Sequence, residues 1–183
     1  MNFGRSDQRC KHFTYIMTQD NITSAVTKKT AIMGFGNPVR SDDGVGVYVA
    51  QQLMREMEED DKVKVLDMGT SAFEVLFQLR GYEKIILVDA VINSGEPAGS
   101  VFRMPAEKVR ASIQEDPLVF LHAMKWDQAL SYARKILRDD FPEDIAVYLV
   151  AVDDTAMNDH MSETAKAAAH KVIGLVKEEI CVN

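Results

Sequence analysis

Short apolar runs alternate with longer segments of helical periodicity along most of this chain. The first run covers residues 30–35, and from residue 44 onward apolar side chains recur every three or four positions. Runs of the first kind predict buried β-strands, and segments of the second kind predict amphipathic helices. Applied along the chain, the two patterns predict strands at 30–35, 63–66, 85–88, 101–104 and 145–152, and helices at 44–58, between 71 and 81, at 123–138 and at 162–180.

The alternation of strands and helices predicts the fold class. It is typical of a mostly parallel sheet with helices on both faces, which is a three-layer α/β sandwich. Right-handed crossovers then place every strand-to-helix junction at one edge of the sheet. We expect residues 29–183 to form this single domain. Residues 1–28 are polar and lack helical periodicity, so we expect a flexible extension there.

Carboxylates follow three of the predicted strands. Asp42 and Asp43 lie in the loop after the first strand, Asp67 follows the second strand, and Asp89 ends the third. Because the carboxyl ends of parallel strands meet at one edge, these acids are expected to share one crevice, where open α/β sheets bind ligands. Negative charge there favours a cation or a polarised peptide over a phosphate group. The loop also lacks the glycine spacing of a dinucleotide site and the Lys-Ser/Thr of a P-loop.

His122 lies at another predicted junction, immediately before a helix. An imidazole together with two or three carboxylates is an O/N ligand set that suits Zn, Ni, Mn or Fe(II). A lone histidine at a helix start also serves as a cap or a surface residue, so this residue has two interpretations.

The acids have structural interpretations as well. Asp42 and Asp43 are suited to the positive end of a helix, with Ser41 or Asp42 capping its first N–H groups. Asp67 is suited to accepting turn amides, and Asp89 to a purely structural role. Trp126, the single tryptophan of the chain, is expected in the core.

Composition narrows the partners. The chain has 183 residues, a net charge of −7 and a pI near 5.1, which argues against nucleic acid. No apolar run is long enough for a bilayer, and the two cysteines, Cys10 and Cys181, lack zinc or redox spacing. We therefore expect a cytoplasmic protein that binds neither nucleic acid nor membrane. A GxSxG elbow and an HExxH pair are also missing, so any hydrolase chemistry must use carboxylates and histidine.

Four ordered motifs resemble those of the endopeptidases that mature nickel-containing hydrogenases. Residues 34–46, Gly-Phe-Gly-Asn-Pro-Val-Arg-Ser-Asp-Asp-Gly-Val-Gly, are similar to the opening signature of that family. The segment 67–70, Asp-Met-Gly-Thr, resembles the second motif, and 87–90, Leu-Val-Asp-Ala, the third. Residues 95–101 resemble the loop and edge strand that follow, and the histidine motif falls at His122. The resemblance covers about residues 30–180.

The resemblance implies a twisted five-stranded sheet between helices and a C-terminal cleavage of the hydrogenase large subunit after nickel insertion. It implies that the nickel is supplied by the substrate and is met by Asp43, Asp89 and His122. Asp67 matches the acid linked to cleavage or substrate selection. With these four residues as the catalytic set, we expect the substrate to contact a further group of residues, namely Gly36, Asn37, Asp42, Gly69 and Thr70.

The chain departs from the family pattern at several points. Asp43 stands where some members have Glu, and Met68 replaces a common Gly. The run around the histidine, Val-Phe-Leu-His-Ala-Met-Lys-Trp, differs from the usual motif, and 153–155 lack the usual proline-containing run. These differences concern the substrate subgroup more than the class of reaction.

The sequence thus predicts a monomeric endopeptidase that acts on a nickel hydrogenase large-subunit precursor and needs no organic cofactor. Two alternatives stay open at this point. One is a nickel-checking module without peptidase activity, and the other is a nucleoside or nucleotide enzyme on a similar scaffold.

Overall fold

The computed structural model describes residues 29–58, 60–108 and 125–181 and contains the predicted elements within those ranges. The strands are β1 (Thr30–Phe35), β2 (Val63–Gly69), β3 (Lys84–Val91), β4 (Val101–Pro105) and β5 (Asp144–Ala151). The α-helices are α1 (Val45–Glu56), α2 (Val75–Gln78), α3 (Trp126–Leu137) and α4 (Glu163–Cys181). Short 3₁₀ turns at Ser41–Gly44 and Ala72–Glu74 precede α1 and α2. The predicted helix at 44–58 therefore begins with a tighter turn and ends two residues early.

The five strands form one sheet in the order β2-β1-β3-β5-β4. All neighbouring pairs are parallel except β4 with β5, which is antiparallel. The strand order places β4 at an edge of the sheet, as predicted. The ends of β1, β2 and β3 therefore meet at one edge of the sheet. Gly34 of β1 lies level with Asp67 of β2 and with Val88 of β3.

Helices cover both faces of the sheet, which confirms the three-layer prediction. One face carries α2 and α3, packed on Met33, Leu87 and other apolar residues of the strands. The other face carries α1 and α4, packed on Ile32, Ile86 and Val150 among others. Consecutive strand residues alternate between these two cores because side chains along a strand point to opposite faces.

Glycines bring α1 into direct backbone contact with the sheet. A Cβ at Gly46 would lie 2.3 Å from the carbonyl oxygens of both Phe35 and Val88, and one at Gly34 would lie 2.1 Å from the carbonyl oxygen of Gly46. No side chain fits at such distances. The first turn of α1 is therefore pressed against the ends of β1 and β3.

A polar network fastens α4 to the opposite end of the sheet. Glu179 accepts hydrogen bonds from Arg103, at 2.7 and 2.8 Å, and from the hydroxyl of Tyr148. The ammonium of buried Lys84 lies 2.9 Å from the same carboxylate. Hydrogen bonds from Arg103 lower the pKa of Glu179 to about 2, so the carboxylate stays charged.

Two predictions fall outside the described residues. They are the flexible extension at 1–28 and the placement of His122, which belongs to the range 109–124. Within the described part of the chain, no helix combines the length and apolar character needed to span a bilayer.

Candidate functional site

Asp43 and Asp89 line one cleft at the edge where the parallel strands end. The cleft has a volume of about 430 Å³. The loop after β1, the end of β2, the end of β3, the start of α3 and the loop after β5 all contribute to it, through Phe35, Gly36, Arg40, Asp43, Gly69, Thr70, Ala72, Asp89, Ala90, Val91, Ile92, Lys125, Trp126 and Thr155. We refer to it as the Asp43–Asp89 cleft. Two carboxylates that are distant in sequence are thus brought together by strand order.

The loop that carries Asp43 is held by its own backbone. Gly36 has φ = 129°, and a Cβ there would lie 1.9 Å from the carbonyl oxygen of Asp43, so only glycine fits. The backbone N–H of Asn37 donates to Oδ2 of Asp43 at 3.0 Å. The N–H of Gly36 also donates to the carbonyl of Gly69, which joins this loop to the end of β2. The position of the Asp43 carboxylate is therefore set by the fold.

Asp89 is held from two sides by neutral donors. Its Oδ1 accepts the N–H of Ala90 at 2.8 Å, and its Oδ2 accepts the indole N–H of Trp126 at 2.8 Å. Burial raises the pKa of Asp89 from 3.8 to about 6, and the nearby charge of Asp43 adds to the rise. The two hydrogen bonds and the charge of Lys125 act in the opposite direction. At neutral pH the carboxylate is charged but incompletely compensated, which favours an incoming cation.

Asp42 has a different environment from Asp43. It is 4% exposed, and its two oxygens accept the N–H and the hydroxyl of Ser162, at 2.7 and 2.8 Å. The prediction that Ser41 or Asp42 caps α1 is wrong, because no side chain caps that helix or the 3₁₀ turn before it. The hydroxyl of Ser41 instead contacts Asp154 and the carbonyl of His160. Both residues fasten the loop after β1 to the segment that leads into α4.

Asp67 lies on the other face of the sheet from Asp89. Its Oδ2 accepts the side-chain amide of Gln51, on α1, at 3.0 Å, and its Oδ1 accepts the N–H of Gly69. The expectation that all the strand-end acids share one crevice is therefore wrong for the Asp67 carboxylate, which does not line the Asp43–Asp89 cleft. Register explains this, because Asp67 lies level with Val88 and not with Asp89. The prediction that Asp67 accepts a hydrogen bond from a turn amide is confirmed by its contact with the N–H of Gly69.

The residues predicted to contact substrate divide into two groups. Gly36, Gly69 and Thr70 line the cleft, whereas Asn37 and Asp42 do not. Asn37 contributes through its backbone contact with Asp43. Met68, which departs from the family pattern, points into the core formed with α2 and α3 and is 4% exposed. Its effect on the site is therefore through packing.

The third predicted metal contact cannot be placed in the same way. His122 lies outside the described residues, three positions before Lys125, which lines the cleft. Within the described ranges, no group of three or more His, Cys, Asp or Glu side chains is arranged to hold a metal ion. The described cleft thus offers two carboxylates to a cation.

Three residues at the cleft were not singled out by the sequence. Trp126 was expected only in the core, yet its indole reaches Asp89. Arg40 donates through Nε to the carbonyl of Thr155 and, like Lys125, adds positive charge to the lining. Arg40 belongs to the opening motif, and Lys125 precedes a predicted helix, but neither position alone indicates a cleft.

The fold and the cleft define an α/β protein with paired carboxylates at the carboxyl edge of its sheet. A sequence profile of the hydrogenase maturation proteases matches residues 47–179, a range that includes Asp67, Asp89 and His122 and begins after Asp43. The chain belongs to the hydrogenase maturation protease family, and it is a peptidase by that membership.

Individual relatives agree with this assignment. The chain is 25% identical over 138 residues to the hydrogenase 2 maturation protease of Escherichia coli strain K12, covering 75% of this chain and 80% of that protein. Its fold is similar to that of a NiFe hydrogenase maturation protease from Thermococcus kodakarensis KOD1, with a TM-score of 0.67 at 23% identity over 87% of this chain and 96% of that one. The hydrogenase maturating endopeptidase HybD from E. coli gives the same TM-score at 22% identity, covering 82% and 93%.

Proposed function

We propose that this protein removes the C-terminal extension of a nickel-containing hydrogenase large-subunit precursor after nickel insertion, and that the precursor's nickel guides the cleavage. The observation that carries the proposal is the Asp43–Asp89 cleft, where two carboxylates from separate loops face one space. Family membership supports the class of substrate. It also disfavours a non-proteolytic module or a nucleoside enzyme.

Nickel recognition is proposed for Asp43, Asp89 and His122. Nickel accepts carboxylate and imidazole ligands, and the two described acids have the required chemistry. His122 lies three positions before Lys125, and three steps of chain span at most about 11 Å. Because Lys125 lines the cleft, this short span supports the proposal that His122 contacts the metal.

Asp89 is the better suited of the two acids to hold a cation. Burial has already removed much of the water around its carboxylate, so an approaching cation has little water left to displace. Its two hydrogen-bond partners are neutral and leave its charge intact. Nickel bound in the precursor would be drawn to this position.

Docking of nickel would place the scissile peptide across the cleft. Holding a peptide bond beside an activating group accelerates hydrolysis by positioning, a term worth several kcal/mol in well-oriented systems. A carboxylate of the cleft is proposed to activate the attacking water, and polarisation of the peptide carbonyl is a second contribution. Asp67 is proposed to act on substrate selection from the opposite face of the sheet. Arg40 and Thr70 lie at positions suited to contact the peptide main chain.

The proposal includes a cytoplasmic location, a monomeric enzyme and nickel that belongs to the substrate, with no organic cofactor. Neither a nucleic acid nor a membrane is required.

The test compares cleavage of the cognate precursor with and without nickel. Purified protein is mixed with each form, and the loss of the extension is followed by intact-mass spectrometry. We expect cleavage of the nickel-loaded precursor alone, and no cleavage by the Asp89→Asn variant. Equal cleavage of both forms would overturn the guiding role of nickel, and cleavage of neither would overturn the proposed function.

A further inference from the structure

We propose that Trp126 is a positioning residue for peptide cleavage, which fixes the carboxylate of Asp89 in the orientation that meets the precursor's nickel. The inference rests on the proposed function and adds a residue to it. The indole N–H donates to Oδ2 of Asp89 at 2.8 Å, across 37 positions of sequence.

The carboxylate is clamped at both oxygens. Trp126 binds Oδ2 and the N–H of Ala90 binds Oδ1. Each bond uses one acceptor site on its oxygen, and an ionised carboxylate offers about four in all. Rotation of the group about its last bond would break both contacts at once. The remaining acceptor sites are thereby held in one arrangement at the Asp43–Asp89 cleft.

Trp126 is itself a stiff donor. It is 7% exposed and packs in the core between the sheet and α3. It is also the first residue of α3, whose start is fixed by the bond from the N–H of Lys125 to Oε1 of Gln128 at 3.1 Å. A side chain with two torsions, packed on its apolar body, delivers its polar tip to a defined point.

The chemistry of the donor explains why an indole suits this position. A lysine or arginine bound to Asp89 would neutralise the carboxylate and compete with a cation. The indole N–H is neutral, so it orients the anion and leaves its charge for the metal. A phenylalanine would fill the core but leave Oδ2 without this donor. The position therefore combines packing with orientation.

The single tryptophan allows an atom-level experiment. Because the chain has one Trp, biosynthetic replacement of tryptophan by 3-benzothienylalanine exchanges only the N–H of Trp126 for sulfur and keeps the two-ring shape. Replacement by 5-fluorotryptophan, which retains the N–H, is the matched control. A Leu130→Val variant, altered one turn later in the same core, controls for packing.

Cleavage of the nickel-loaded cognate precursor is measured as kcat/KM, with Tm recorded for each protein. We expect the benzothienyl protein to lose about 10- to 100-fold in kcat/KM, the range for removing a group that orients a metal contact. Its Tm should resemble that of the Leu130→Val variant, which keeps its activity. The fluorotryptophan protein should retain both activity and Tm.

The outcomes separate the two proposals. If wild-type protein cleaves the precursor and the benzothienyl protein cleaves it equally fast, the positioning role is overturned and the proposed function stands. If the loss in activity merely follows the loss in Tm across all variants, the positioning role is also overturned. If wild-type protein does not cleave, the proposed function itself has failed. In an Asp89→Asn background, the benzothienyl replacement should not weaken precursor binding further, and an additional loss would contradict action through Asp89.

Discussion

Asp67 and Asp89 lie two residues before the ends of the two strands that flank β1, yet their carboxylates lie on opposite faces of the sheet. Asp67 contacts Gln51 of α1, and Asp89 contacts Trp126 of α3. The two acids therefore meet different parts of any substrate that crosses the sheet edge. This separation supports the proposal that Asp89 contacts the nickel of the precursor and that Asp67 contacts the substrate away from the metal.

The first prediction concerns how each acid senses nickel. In an Asp89→Asn variant, the preference for nickel-loaded over nickel-free precursor should fall sharply, because one of the two carboxylates proposed to meet the metal has lost its charge. In an Asp67→Asn variant, the preference for the nickel-loaded form should persist, since that side chain lies outside the Asp43–Asp89 cleft. Titration calorimetry with both precursor forms measures the two ratios.

The two substitutions form a matched pair, since each replaces a charged carboxylate by a neutral amide group of nearly the same shape. Loss of nickel preference in the Asp67→Asn variant would place that residue at the metal and contradict the separation by sheet face.

The second prediction concerns Asp42 as a structural fastener. Asp42→Ala removes the acceptor of two hydrogen bonds and leaves the N–H and the hydroxyl of Ser162, just before α4, without it. We expect a loss of about 3 kcal/mol in the free energy of unfolding, measured in urea. Asp42→Asn keeps one acceptor and should lose clearly less. An unchanged urea midpoint in the alanine variant would show that the contact does not hold the loop to α4.

The third prediction concerns the close approach of α1 to the sheet. Gly46→Ala forces a Cβ against two backbone carbonyls, which cannot move independently of β1 and β3. We expect a loss of at least about 3 kcal/mol in stability. The control is Gly174→Ala in α4, where a Cβ meets nothing within 4 Å. That variant should gain about 0.5–1 kcal/mol from helix propensity. A Gly46→Ala variant as stable as the wild type would contradict the backbone contact.

The fourth prediction is a dependence of stability on pH that originates at Asp89. Its pKa is about 6 in the folded protein and near 3.8 when unfolded. Between these values the folded form holds a proton that the unfolded chain has released. The stability from this residue is therefore complete below about pH 4 and is lost as the pH rises through 6. The Asp89→Asn variant should lack this decline. Its free energy of unfolding relative to that of the wild type, measured in urea, should therefore rise from pH 4 to 6 and then stay constant.

Tryptophan fluorescence measures the same titration in the folded state. The single indole donates to the titrating carboxylate, so its emission should change with a midpoint near pH 6. The change should be absent in the Asp89→Asn variant. A wild-type midpoint near 4 would show that burial does not raise the pKa of this acid.

The order of the fold follows from local patterns in the sequence. The apolar runs at 30–35 and 85–88 lie within β1 and β3, because buried parallel strands need continuous apolar residues. The 3₁₀ turn before α1 was missed, since its residues are held by contacts with Asp154 and His160, more than 100 positions away. Local periodicity carries no trace of such contacts.

The site was only partly predictable for a related reason. Asp43 and Asp89 follow from strand order, but the face on which each strand-end acid lies depends on register. Asp67 lies level with Val88, and a shift of one residue would have placed it level with Asp89. The sequence of a strand shows where it ends but not its offset from its neighbour. The contact between Trp126 of α3 and Asp89 of β3 also depends on how two elements are placed relative to each other, so the sequence did not predict it.

The glycine pair at positions 34 and 46 limits how this enzyme can vary. Because the backbones of β1 and α1 touch at these two glycines, the loop between them cannot accommodate an inserted or deleted residue. The distance that the side chain at position 43 reaches into the Asp43–Asp89 cleft is then set by the length of that side chain. Under the proposed function, exchanging aspartate for glutamate, which adds a single methylene, is then the main way to match this position to a nickel ion bound at a different depth.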